Sequence, residues 1–92
     1  MIKLNVHIHN QSGKEEKSFP LILNLNSHKI SDLADLAAKT FTRMAKIEVP
    51  IDVLKVFNSE REIFKDFASK LSNCDLSDNS DVFIEYKKKK KE

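Results

Sequence analysis

The chain has 92 residues, a net charge of +2 from 16 basic and 14 acidic side chains, and 40% hydrophobic residues. That is one small domain with a modest core. The near-balance of charge is unlike a nucleic-acid binder, whose basic excess is larger and more clustered. One cysteine, Cys74, excludes an internal disulfide and predicts a reducing compartment. No apolar run approaches the length of a membrane span. The first strand begins at Met1-Ile2, which leaves no room for a targeting peptide, so a cytoplasmic location is expected.

Ile2, Leu4, Val6 and Ile8 alternate with Lys3, Asn5, His7 and His9, the period-two pattern of a half-buried strand. Asn10 to Lys14 is a turn carrying the only glycine, Gly13. A second strand is expected from about Glu16 to Asn26, with Phe19, Leu21, Leu23 and Leu25 alternating. Pro20 cannot donate to a ladder, which places this strand at a sheet edge. One helix is expected over Ser31–Lys46. Ser31 is its N-cap, Asp32 and Asp35 suit its positive end, and Lys39, Arg43 and Lys46 suit its negative end. Leu33, Leu36, Ala37, Thr40, Phe41 and Met44 supply its apolar face.

Val49-Pro50 stops the helix. Val53–Phe57 reads as a third strand, Asn58 to Arg61 as a turn and Glu62–Phe64 as a short fourth strand. Residues 67–78 read as a polar connection anchored by Leu71 and Leu76, and Val82–Tyr86 as the last strand. Residues 1–86 thus form the domain and 87–92 a basic tail; without Lys87 to Lys91 the remainder is slightly acidic.

Strand, turn, strand, helix and then short strands is the order of a β-grasp. The stretch from Pro50-Ile51-Asp52 through Leu54-Lys55-Val56-Phe57-Asn58-Ser59 to Leu71-Ser72-Asn73-Cys74-Asp75-Leu76 and Val82-Phe83-Ile84 resembles the second half of ubiquitin. Together with the N-terminal half, the resemblance covers residues 1–86. It is one of pattern and spacing rather than identity. It implies an α+β ubiquitin-like β-grasp: a mixed four- to five-stranded sheet, order 2-1-5-3-4, packed on one amphipathic helix. Ser31-Asp32-Leu33 also resembles the capped helix of doublecortin-type domains. The helix Ile30-Ser31-Asp32-Leu33 onward and the strand Val82-Phe83-Ile84-Glu85-Tyr86 resemble the N-terminal domain of the kinetoplastid flagellar-pocket-collar scaffold. These last two imply a cytoskeletal or flagellar scaffold role. The likeness to ubiquitin stops at the end of the chain, which reads Lys-Lys-Lys-Lys-Lys-Glu where a modifier needs Gly-Gly. A modifier role therefore requires a chain that continues.

The candidate site follows from parity. If Val56, Val82 and Ile84 face the helix, Phe57 and Phe83 face away from it on neighbouring strands. That predicts an aromatic docking patch for a protein partner on the open sheet face. Lys3, His7, Lys55 and Glu85 would orient the partner, with Tyr86 at the edge. Tyr86 also reads as a strand-end core residue with a wet hydroxyl. His7 and His9 share a strand face, a spacing that can hold a metal. His28 is the only further histidine, so they read as solvated strand residues. Lys87, Lys88, Lys89, Lys90 and Lys91 form a like-charge block. It is either a solubilising end or an electrostatic contact for an acidic tail, such as tubulin's, or another polyanion. A single glycine cannot build a phosphate loop, and no nucleophile–base arrangement is recognisable. A non-catalytic interaction module without a cofactor is the reading that remains.

Overall fold

The computed structural model describes residues 1–48, 50–74 and 76–88. Among these residues four strands and one long helix follow in order: β1 (Ile2–His9), β2 (Glu15–Leu23), α1 (Ile30–Met44), β3 (Ile51–Phe57) and β4 (Ser80–Lys88). The sheet order is β2-β1-β4-β3. The central pair β1 and β4 is parallel, and the two outer pairs are antiparallel. This is the expected mixed sheet, with Pro20 on the edge strand opposite Asn5.

The alternation in β1 does what period two dictates. Leu4, Val6 and Ile8 are fully buried beneath α1, while Lys3, Asn5, His7 and His9 face the other way. Val82, Ile84 and Tyr86 of β4 and Val56 of β3 complete the floor. Phe19 and Leu23 of β2 close its far side. Each of the large apolar side chains taken fully out of water contributes about 1.5–3 kcal/mol before chain entropy is charged against it.

The helix departs from expectation at both ends. It begins at Ile30, and its start is held by Asp32, whose carboxylate accepts the Lys29 backbone N–H at 2.9 Å. Ser31 lies inside the first turn, so Asp32 takes the capping role assigned to Ser31. The buried stripe is Ile30, Leu33, Ala34, Ala37 and Phe41. Ala34 replaces Leu36 and Met44 on the core side because the small residue lets the helix approach the sheet. Leu36 and Met44 are 37% and 46% exposed.

The expected fourth strand at Glu62–Phe64 shrinks to one bridge, Ile63 opposite Phe57. Asn58 takes the chain's polar groups instead. Its side-chain oxygen accepts the N–H groups of Glu60 and Glu62, which tightens the turn before a ladder can extend. Residues 71–73 form a short 3₁₀ turn whose Leu71 is fully buried, with Leu76 packed partly against the core. Both anchors are therefore where the spacing put them. β4 runs on through Lys87 and Lys88, both exposed, so the first two lysines of the basic run belong to the strand.

Candidate protein-docking face

The site is a set of rows across the sheet, on the face away from α1. Register pairs His7 with Phe83 across β1 and β4, and Phe83 with Phe57 across β4 and β3. One row therefore reads His7, Phe83, Phe57. The next pairs His9 with Glu85 and Glu85 with Lys55. Five of the expected residues, Phe57, Phe83, Lys55, Glu85 and His7, are brought together. Lys3 lies on the same face of β1, two rows away, opposite Ile22. Tyr86 lies on the opposite face.

Two irregularities in the strands decide which side chains reach this surface. Between Ile8 and His9 the partner strand slips by one residue, so His9 opposes Glu15 and Glu16 becomes the extra residue. A one-residue slip exchanges the faces of a strand. Glu15 is thereby delivered to the open face, and Glu16 reaches Tyr86 on the other. In β3 the extra residue is Leu54, and it turns Val53 toward the core opposite Tyr86 while leaving Lys55 and Phe57 outward.

Phe83 is the centre of the face. The His7 ring stacks on it at 4.9 Å with 22° between planes. His9 meets it edge-on at 5.5 Å. The Arg61 guanidinium lies over it, 4.7 Å from the ring centroid, a cation–π contact. Arg61 adopts φ +66 in the turn after β3, and that left-handed backbone carries its side chain back over the sheet. A slot of about 280 Å³ opens beside the ring, lined by His9, Gly13, Phe57, Arg61, Phe83 and Glu85. Gly13 holds φ +87, where a side chain is strained, and its flank is open. The slot has aromatic walls and a charged rim. Neither phenylalanine is fully exposed; both are half-buried.

The histidines are not simply solvated. His7 is engaged at both ring nitrogens: Nδ1 lies 2.8 Å from Glu15 Oε1 and Nε2 lies 3.0 Å from Asp81 Oδ1. His9 Nε2 is buried, makes no hydrogen bond and stands 3.7 Å from the same Glu15 oxygen. Among the described residues no group of three donors is placed to hold a metal ion. Arg61, Glu15 and Asp81 were not legible as site residues. Arg61 arrives through a turn conformation, Glu15 through a bulge, and Asp81 through parallel pairing 74 residues from His7.

Tyr86 is 5% exposed and packs edge-on against Phe41 of α1 at 4.9 Å. Its hydroxyl donates to Glu16. Burial, and then the Glu16 carboxylate, push the phenol up to about 12. Cys74 is half-buried with its thiol against the Lys70 carbonyl at 3.2 Å. Burial, reinforced by Asp66, pushes that thiol up, which suppresses the thiolate a nucleophile needs. It borders a wider, polar cleft of about 530 Å³ between residues 58–66 and 69–80. Of the basic run, Lys89, Lys90 and Lys91 lie outside the described residues.

No helix is long and apolar enough to cross a membrane among the described residues. No family model matches the chain, and no curated protein does. Thirteen chains of solved structures match. One is the solution NMR structure of the ubiquitin-like domain of an Arabidopsis thaliana protein. It is 15% identical, with a TM-score of 0.55, over 91% of this chain and 77% of that one. The likeness in topology, with the sheet order and single covering helix above, shows a ubiquitin-like β-grasp fold.

Proposed function

We propose that this domain is a non-catalytic protein-interaction module that docks an extended segment of a partner protein on its open sheet face. One apolar side chain of that segment enters the slot beside Phe57 and Phe83. The observation that carries this reading is the slot itself: an aromatic-walled concavity, rimmed by Arg61, Glu85 and His9, on a sheet face that no helix or strand covers among the described residues. Aromatic walls within a polar rim are the anatomy of a binding hot spot. Lys55, with Lys3 further along the face, adds exposed and half-exposed charge that orients a partner. Tyr86 has no part in this reading, since its ring belongs to the core and its hydroxyl to Glu16.

The test is selection from a random peptide library on the wild-type domain, followed by binding to Phe83→Ser, with amide spectra confirming that the variant is folded. Peptides that bind the wild type and lose at least tenfold in affinity for the variant support the reading; a tenfold loss is about 1.4 kcal/mol. Equal affinity for a folded variant overturns it. The cytoskeletal and flagellar readings rest on sequence resemblance, and the cytoplasmic one on the single cysteine and the position of the first strand. The polyanion contact rests on the charge of the lysine run, and the modifier role on the resemblance to ubiquitin.

A further inference from the structure

His7 sits between two carboxylates, and its chemistry cannot satisfy both in one of its two charge states. A neutral imidazole has one N–H and one bare nitrogen; an imidazolium has two N–H groups. Nδ1 faces Glu15 Oε1 at 2.8 Å and Nε2 faces Asp81 Oδ1 at 3.0 Å. An ionised carboxylate offers only lone pairs. With a neutral ring, whichever nitrogen is bare opposes a carboxylate with no proton between them.

We infer that His7 is a proton-operated clamp on the docking face: protonated, it ties β2 to β4 across β1; neutral, it releases one carboxylate and with it the fixed position of the Phe83 ring. The link to Phe83 is the stack at 4.9 Å and 22°. The released carboxylate is Glu15 or Asp81, each with a side chain 49% exposed and free to turn to water. Glu15 also stands 3.7 Å from the buried His9 Nε2, so its departure takes a carboxylate away from that nitrogen as well. The other charged groups near the clamp are Lys3, which shares a surface hollow with His7 and Asp81, Glu85, one row along β4 and paired with His9 and with Lys55, and Arg61 on the Phe83 ring. Histidine is the side chain whose charge changes within the physiological range. The consequence for partner docking rests on the proposed function above; the clamp itself does not.

The clamp is tested on the free domain by recording the His7 ring-nitrogen signals and the Phe83 ring signals at about pH 5.5 and about pH 8, either side of the ordinary histidine range. The ring-nitrogen signals report the change from two protons to one. The Phe83 signals and the Glu15 amide are expected to shift together with that change. In a Glu15→Gln, Asp81→Asn double variant the shift is expected to be lost. An amide both donates and accepts, so it satisfies the ring in either state. His28, which touches neither Phe83 nor Glu15 and whose Nδ1 accepts the Asn24 N–H, serves as the internal control, and the His9 ring signals are followed separately. Phe83 signals that do not follow the His7 ring, or that follow it equally in the amide variant, overturn the clamp. Affinity for a selected peptide, measured at both pH values, then separates the two proposals. A clamp that operates while no peptide binds the face leaves the inference standing and removes the docking function.

Discussion

Arg61 holds its guanidinium over the Phe83 ring, 4.7 Å from the centroid, from a turn residue with φ +66. The contact covers one wall of the slot and is made against a backbone strain that glycine would not feel. Two substitutions separate these effects. Arg61→Ala loses the cation–π contact and keeps the strain, and is expected to cost about 0.5–1 kcal/mol. Arg61→Gly loses the same contact but relieves the left-handed backbone, so it is expected to be more stable than Arg61→Ala. Denaturant unfolding of the three proteins checks the order.

At the start of α1, Asp32→Ala is expected to destabilise by about 1 kcal/mol, because the Lys29 N–H loses its acceptor. Ser31→Ala is expected to change stability by less than about 0.5 kcal/mol, since Ser31 is an exposed residue of the first turn. Thermal melts of both variants decide which residue caps the helix.

Leu71 anchors the long connection between β3 and β4. It is fully buried, and its N–H donates to the His28 carbonyl at 2.9 Å. Leu71→Ala is expected to cost about 2–5 kcal/mol. Leu36→Ala, on the exposed side of α1, is expected to cost well under half of that, about 1 kcal/mol or less. Comparable losses in chemical denaturation would contradict the assignment of the helix face.

Tyr86 carries a pH dependence whose sign is fixed. The folded protein holds the phenol at about 12, above its ordinary value of about 10. The native state therefore favours the protonated form. The stability this contributes is whole below about pH 10 and is lost as pH rises toward 12. Tyr86 is the only tyrosine and there is no tryptophan. Ultraviolet absorbance against pH therefore reports its ionisation alone. A midpoint near 12 is expected for the folded domain, and Glu16→Gln is expected to lower it.

These elements show what was legible in the amino-acid order. Where one face of a strand is buried, alternation determines the side of each residue, so the burial of Leu4, Val6 and Ile8 is legible in the sequence. The same parity, with the sheet order, placed Phe57 beside Phe83. Parity fails at a bulge. Nothing in Lys14-Glu15-Glu16-Lys17 shows which glutamate reaches the histidines and which reaches Tyr86. The helix start was displaced because Ser and Asp both cap, and they stand side by side at 31 and 32. Leu36 reads as core by hydrophobicity, yet the small Ala34, which suits close approach, takes the core side in its place. The fourth strand is shorter than its sequence pattern implies because the Asn58 side chain accepts N–H groups that a longer ladder would have used.

The most direct measurement is an amide chemical-shift map of the labelled domain titrated with a peptide selected on it. The account predicts saturable shifts centred on His7, His9, Phe57, Arg61, Phe83 and Glu85, weakening along the face toward Lys3 and absent from the exposed side of α1. Shifts centred on α1, or on the cleft beside Cys74 with Phe57 and Phe83 unmoved, would contradict it.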